Sequence, residues 1–92
     1  MILSFANKDT ALLANHIRVK RFEGFERIAL RKILQLEAAK ELSDLAVPPG
    51  NKLEKLTGDR IGQHSIRIND QYRICFVWTS LGPKQVEIVD YH

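Results

Sequence analysis

The sequence predicts an α+β fold in which an N-terminal strand and two helices pack on a mainly antiparallel β-sheet. Apolar residues in the first half recur at spacings of three and four, the period of a helix with one buried face. The second half holds apolar runs and polar–apolar alternation separated by turn sequences, which is typical of an antiparallel meander. The 92 residues provide for one hydrophobic core but not for two. We therefore expect residues 1–92 to form a single domain.

The first elements are predicted to be a short strand and a short helix. Ile2–Phe5 forms the strand. Asn7 or Asp9 would cap a helix through residues 10–15, because either side chain can accept a hydrogen bond from a backbone N–H of the first turn. A basic connector, His16–Arg21, then leads to the next element.

A second and longer helix is predicted from Phe22 onward, with its apolar stripe on the core and its polar side chains in solvent. Residues 41–45 prolong this helix or form a last short turn. The segment Val47–Gly50 contains two prolines and ends it, because proline cannot continue a helix. The stripe consists of Phe25, Ala29, Ile33, Leu36 and Ala39, widened by Ile28, Leu34 and Leu42, and the outer face carries Glu23, Arg27, Arg31, Lys32, Gln35 and Lys40.

The second half is predicted to form the sheet. Polar residues at 69–71 favour a hairpin turn, and the glycine and proline within 80–83 favour the next turn. The helices would cover one face of this sheet and leave the other face open. The predicted strands are Leu53–Leu56, His64–Ile68, Tyr72–Trp78 and Gln85–Tyr91.

Composition limits the classes of protein to which the chain can belong. The net charge of +3 and the pI of about 9.2 favour an acidic partner such as nucleic acid, although only mildly. Cys75 is the one cysteine and is expected to be a small buried hydrophobe in a reducing compartment. The sequence has no apolar stretch near the ~20 residues of a membrane span, and Met1–Ala6 does not resemble a signal peptide. We therefore expect a cytoplasmic protein.

The candidate chemistry begins with Asp90-Tyr91-His92, which directly follows a predicted strand and is therefore expected to be held in place. Metal-free RNA cleavage needs a base for the 2′-hydroxyl, an acid for the departing 5′-oxygen and positive charge for the phosphorane. His92 can serve as acid or base, and Asp90 as a base or as its orienting partner. Tyr91 can stack on a base, and Arg73 supplies charge. Tyr91 can equally be a buried ring with a satisfied hydroxyl. We expect these groups and Arg73 to converge on one face of the sheet.

The predicted hairpin offers a second candidate feature. Arg67 and Arg73 are equidistant from Asp70, so folding about that turn places them side by side. They either pair with carboxylates and solvent or form a guanidinium fork that holds a phosphate. Further phosphate contacts are expected from Lys52, Lys55 and Arg60. No cysteine or histidine cluster has metal-ligand spacing and no glycine motif matches a nucleotide loop, so neither a metal nor a cofactor is expected.

Four segments of this chain resemble one family of proteins. They are Gly50–Leu56, Gly58–Arg60, Ser65–Phe76 and Val86–His92, and the opening Leu3-Ser4-Phe5 adds a weaker likeness. Together they resemble the HigB branch of the RelE/ParE toxin superfamily, the killer proteins of bacterial type II toxin–antitoxin modules. The resemblance implies a small microbial RNase fold with helices on an antiparallel sheet. It also implies ribosome-dependent mRNA cleavage that inhibits translation.

The resemblance further implies partners and site residues. The expected partners are the ribosome, mRNA and a HigA-like helix-turn-helix antitoxin. The toxin would contact operator DNA only through this antitoxin. The catalytic tail of the family falls on Asp90, Tyr91 and His92, and its strand arginine on Arg73. Some members of the family have a histidine at the position of Glu54 and a lysine at the position of Thr57. Glu54 can replace that histidine as the general base. Lys52 or Lys55 would then supply the missing charge.

Two other functions stay open from the sequence. The ParE branch shares the fold but poisons DNA gyrase, so the fold does not settle the activity. A non-catalytic module that binds RNA or the ribosome would block translation by occupancy alone. The Asp90-Tyr91-His92 sequence favours the RNase branch.

Overall fold

A computed structural model describes residues 1–90. Two α-helices precede an antiparallel four-stranded sheet of order β1-β2-β3-β4. Short 3-10 turns connect these elements, among them Lys20–Phe22, Leu42–Ala46, Pro49–Asn51 and Gly58–Arg60. The main elements are α1 (Lys8–Ala14), α2 (Glu26–Ala38), β1 (Glu54–Lys55), β2 (His64–Arg67), β3 (Tyr72–Thr79) and β4 (Gly82–Asp90). The α+β class predicted from the sequence is confirmed.

Local side-chain contacts set the ends of both helices. Asn7 rather than Asp9 caps α1, because its Oδ1 accepts the backbone N–H of Thr10 at 2.9 Å. Helix α2 is shorter than predicted. Asp44 Oδ2 accepts the backbone N–H groups of Lys40 at 2.9 Å and Glu41 at 3.0 Å, which draws the chain out of the helix. These hydrogen bonds, that of Glu41 first, lower the pKa of Asp44.

The hydrophobic core lies between the two helices and one face of the sheet. Because strand side chains alternate between faces, the core face of β3 is built from every second residue. The sheet contributes Ile66, Ile74, Phe76, Val86 and Ile88, and the helices and the segments around them contribute Leu13, Phe22, Ala29, Ile33, Leu36 and Leu45. The apolar stripe of the second helix therefore packs on the core as predicted. Of its predicted widening, Leu42 packs against the core, whereas Ile28 and Leu34 are exposed.

One side chain assigned to the solvent face of α2 is in fact buried. Lys32 is only 9% exposed, and its ammonium donates a hydrogen bond to Asn51. Burial, followed by the charges of Arg31 and Arg67, lowers the pKa of Lys32. The helical pattern could not predict this burial, because the partner lies in a different segment of the chain.

The predicted N-terminal strand forms only in part. Ile2–Phe5 runs beside β4, but only an isolated parallel bridge between Phe5 and Val86 and a backbone hydrogen bond from Leu3 to Pro83 join the two segments. Gln85 adopts a positive φ of 53°, and Pro83 has no N–H to donate. Both features interrupt the ladder that a regular strand would need.

The face of the sheet opposite the helices is not open, contrary to the expectation. Ser65 and Cys75 point to this face, and both are fully buried. Leu56, in the segment that joins β1 to β2, is also buried but lies outside the main core. We call the side opposite the helices the second face.

Candidate active site

Arg73 of β3 is the best-anchored charged group on the second face. Its side chain is only 10% exposed. Nε donates to Oγ of Ser65 at 2.7 Å, and Nη2 donates to the carbonyl oxygen of Lys52 at 2.6 Å. Contacts from two different nitrogens fix the plane of the guanidinium. Arg73 is therefore a nearly buried strand residue rather than an exposed one.

The two acceptors come from different elements. Ser65 lies in β2, between Glu54 of β1 and Cys75 of β3 in the register of the sheet. Lys52 follows the 3-10 turn Pro49–Asn51 and has a left-handed backbone with φ 45° and ψ 55°. This conformation is unusual for a residue with a side chain. The residue with this conformation is the one whose carbonyl oxygen accepts the hydrogen bond from Arg73.

Among the described residues, Glu54 provides a carboxylate close to Arg73. Its Oε1 lies 3.9 Å from Nη2 of Arg73, and its side chain is 47% exposed. The distance is too long for a hydrogen bond but close enough for electrostatic attraction. A fixed, nearly buried cation therefore lies beside a carboxylate that solvent and a ligand can reach.

Arg60 lies on the same face but is held by another carboxylate. Its Nη1 donates to Oε1 of Glu87 and to Oε1 of Gln63, each at 3.1 Å. Glu87 is the register partner of Cys75. The prediction of a buried cysteine is confirmed, and burial, as the main cause, raises the pKa of the Cys75 thiol.

Arg67 and Arg73 are direct cross-strand partners, as their equal distance from Asp70 predicted. Their side chains nevertheless have separate contacts. Arg67 Nη2 contacts Oδ1 of Asp70, while Arg73 contacts Ser65. For Arg67 the structure thus favours the pairing with a carboxylate over a fork shared with Arg73.

Two predicted site residues occupy strand positions whose side chains point to the opposite face from that of Arg73. Asp90 pairs with Tyr72, and Lys55 pairs with His64, whereas Arg73 pairs with Val89. The alternation of strand side chains therefore places Asp90 and Lys55 towards the helix-covered side. Asp90 Oδ2 accepts a hydrogen bond from Nε2 of Gln71 at 3.0 Å. The register alone does not bring Asp90 beside Arg73, and the convergence of the whole tail on Arg73 stays a prediction.

The other two members of the predicted tail, Tyr91 and His92, lie outside the described residues. His64, the first residue of the predicted strand His64–Ile68, is partly buried and stacks on Phe76. Burial, and then the charge of Lys55, lowers the pKa of His64. Its Nδ1 makes no hydrogen bond within residues 1–90.

The sequence did not predict two of the groups that hold Arg73, the hydroxyl of Ser65 and the carbonyl of Lys52. Ser65 carried a detectable indication, because it is a polar residue two positions from Arg67 on the same face of a predicted strand. A backbone acceptor such as the Lys52 carbonyl cannot be predicted from residue type, because every residue has a carbonyl oxygen. Across residues 1–90, no group of three or more histidine, cysteine or acidic side chains is placed to hold a metal ion.

The arrangement can stabilise negative charge that develops on a phosphate. A guanidinium that is already oriented needs no reorganisation when that charge appears. The exposed carboxylate of Glu54 beside it can accept a proton or orient a hydroxyl.

No helix in the described part of the chain is both long and apolar enough to cross a membrane.

Comparison with known proteins identifies the family. The family described as RelE-like toxin of type II toxin-antitoxin system HigB matches residues 14–92. Toxin HigB-1 from Vibrio cholerae serotype O1 (strain ATCC 39315 / El Tor Inaba N16961) is 49% identical over 53 residues, which are 58% of this chain and 56% of that protein. The match thus spans little more than half of the relative.

The fold has a counterpart among solved structures. A chain of the YoeB-YefM complex from Staphylococcus aureus superimposes with a TM-score of 0.59 at 22% sequence identity. The superposition covers 100% of this chain and 95% of that one, and at this identity it concerns the fold alone. The family match extends over most of the sequence and includes β1 to β4. The chain therefore belongs to the HigB-like family of RelE-like toxins of type II toxin–antitoxin systems.

Proposed function

We propose that this toxin is a metal-independent endoribonuclease that cleaves mRNA on the ribosome and so inhibits translation. One observation carries the proposal: the oriented, nearly buried guanidinium of Arg73 beside the accessible carboxylate of Glu54. Such a pair matches the requirement for positive charge at a phosphorane and a nearby proton acceptor. The membership of the chain in a toxin family supports the same class of activity.

The proposed reaction is attack of a ribose 2′-oxygen on the adjacent phosphorus. A base takes the proton of the 2′-hydroxyl, the new P–O bond forms, and the bond to the 5′-oxygen breaks. An acid protonates the departing 5′-oxygen. The products are a 2′,3′-cyclic phosphate, which water can open to a 3′-phosphate, and a 5′-hydroxyl.

Each candidate residue receives a role in this reaction. Arg73 stabilises the negative charge of the phosphorane. His92 serves as acid or base with Asp90 as its partner, and Tyr91 places the scissile nucleotide. Glu54 is the alternative base, since it already lies 3.9 Å from Arg73.

The remaining basic residues are proposed to contact phosphates outside the scissile one. The side chain of Lys52 is exposed next to the site, so it is the first candidate. Arg67 and Arg60 would have to exchange contacts with Asp70 and Glu87 for contacts with RNA. Lys55, on the helix-covered side, is assigned a more distant phosphate.

The proposed setting includes two kinds of partner. The ribosome would hold the mRNA in a reactive geometry, which a site with few catalytic groups particularly needs. An antitoxin, for which a HigA-like helix-turn-helix protein is the candidate, would neutralise the toxin. The family match and the YoeB-YefM complex among the similar structures support an antitoxin partner. We place this activity in the cytoplasm, where translation occurs.

The test is a map of mRNA 5′ ends in cells after induction of the toxin and of two variants. Glu54→Gln removes the candidate base, and Glu23→Gln is the matched control at an exposed position in a different part of the fold. We expect cuts in phase with codons for the wild type and Glu23→Gln, and far fewer for Glu54→Gln if it is the base. DNA damage with intact mRNA would replace the proposal by gyrase poisoning. Growth arrest with both nucleic acids intact would replace it by ribosome binding alone.

A further inference from the structure

A buried hydrogen-bond network joins α2 to the segment that leads into β1. Lys32 of α2 donates to Oδ1 of Asn51, which is completely buried. Nδ2 of Asn51 donates to Oε1 of Gln35 and to the carbonyl oxygen of Leu45, each at 3.0 Å. Because both ends of the Asn51 amide are bonded, its orientation is fixed.

This network holds the backbone directly before the site. Asn51 ends the turn Pro49–Asn51, and its N–H donates to the carbonyl of Pro48 at 2.9 Å. Lys52 then adopts its left-handed conformation, which its surroundings must maintain because it is unfavourable for a lysine. The carbonyl of this same residue accepts Nη2 of Arg73 at 2.6 Å.

We propose that Asn51 is a positioning residue for Arg73 and acts through the carbonyl of Lys52. Its amide bonds to α2 and the Leu42–Ala46 turn, so the position of the Lys52 carbonyl is tied to the helical layer. That carbonyl and Ser65 together set the plane of the guanidinium. The catalytic consequence rests on the proposed function, whereas the orientation of Arg73 can be tested without it.

The choice of variants follows from the contacts. Asn51→Asp keeps an acceptor for Lys32 but loses the N–H donors to Gln35 and Leu45. Lys32→Met instead removes the donor to Oδ1 and leaves the Asn51 amide intact, so it serves if the first variant does not fold. Thr10→Val is the matched control, because Thr10 is also fully buried and its Oγ1 accepts the backbone N–H of Ile88.

The first measurement is hydrogen exchange at the Nε–H of Arg73, followed by NMR of nitrogen-15-labelled protein. In the wild type this proton is hydrogen-bonded to Ser65 and shielded from water. We expect roughly tenfold faster exchange in Asn51→Asp, about the effect of one lost charge-assisted hydrogen bond. Thr10→Val should exchange as the wild type does. Unchanged exchange in both Asn51→Asp and Lys32→Met would overturn the proposal.

The second measurement is the single-turnover rate of cleavage of ribosome-bound mRNA at saturating toxin, with affinity measured separately. Asn51→Asp should lower the rate and leave the affinity unchanged. In an Arg73→Lys background the same substitution should have little further effect, because both changes act on one group. Fully additive losses would overturn the proposal. A wild type that cleaves no RNA would refute the proposed function but would leave the exchange result standing.

Discussion

Replacing Arg73 by alanine should destabilise the fold as well as abolish cleavage. The side chain is nearly buried and donates to Ser65 and to the Lys52 carbonyl, among other contacts. Hydrogen bonds from a charged group contribute about 1.5–3 kcal/mol each, and a buried acceptor left unpaired costs about 1–3 kcal/mol. Water that enters the space restores part of this loss. We therefore expect Arg73→Ala to lower the free energy of unfolding by about 2–4 kcal/mol.

That loss is large compared with the total stability of a small domain, which is about 5–15 kcal/mol. For a chain of this size, it should lower Tm by roughly 10–20 °C. The assay is urea and thermal unfolding of wild type, Arg73→Ala and Arg73→Lys, together with cleavage of ribosome-bound mRNA at a temperature where all three are folded. Cleavage should fall by about a hundredfold or more in Arg73→Ala. Arg73→Lys should recover part of the stability but little of the rate, because an ammonium cannot hold the bidentate geometry.

Two results would refute this reasoning. An unfolding free energy of Arg73→Ala within about 0.5 kcal/mol of the wild type, the range of ordinary surface substitutions, would mean that the guanidinium is not anchored. Folded Arg73→Ala that cleaves mRNA within a few-fold of the wild-type rate would remove Arg73 from the mechanism. Unfolding and cleavage must be measured on the same preparations, since a loss of activity alone would not distinguish the two effects.

Three further predictions concern other parts of the chain. His92→Gln should severely reduce mRNA cleavage, because it removes a titrating group, and unfolding curves should barely move; equal cleavage rates would end the acid–base assignment. Purified toxin should cleave ribosome-bound mRNA much faster than free RNA in a gel assay, and equal rates would argue for an ordinary basic nuclease. The wild type should lose stability relative to His64→Phe as the pH falls below 6.5, the unfolded pKa of His64. Since burial lowers the folded pKa, the unfolded chain binds the extra proton first, and urea midpoints at about pH 7.5 and pH 5 measure the difference.

Features set by neighbouring residues could be predicted from the sequence. The Asn7 cap of α1 depends on a side chain and a backbone N–H three residues apart. The pairing of Arg67 with Arg73 follows from the position of the turn around Asp70. Both are decided within a few residues, so periodicity and turn chemistry were sufficient.

Features set by distant contacts could not be predicted in the same way. Lys32 occupies a polar position of a regular helical pattern, and only its buried partner Asn51 makes that position an interior one. The last turn of α2 is lost because Asp44 binds the backbone N–H groups of residues 40 and 41. Helix propensity contains no information about either competing contact.

The arrangement of the site depends on which face of the sheet each strand residue points to. This alternation explains why some candidate residues lie close together and others do not. Glu54, Ser65 and Cys75 are successive partners across β1, β2 and β3, and therefore share a face. Arg73 lies two residues from Cys75 in the same strand and so shares that face too, whereas Asp90 pairs with Tyr72, one position out of phase. With the hairpin register fixed by the turn around Asp70, the alternation of strand side chains alone places Ser65 on the same face as Arg73. A resemblance to a family assigns roles to residues, but the register of the sheet decides which of them the strands place together.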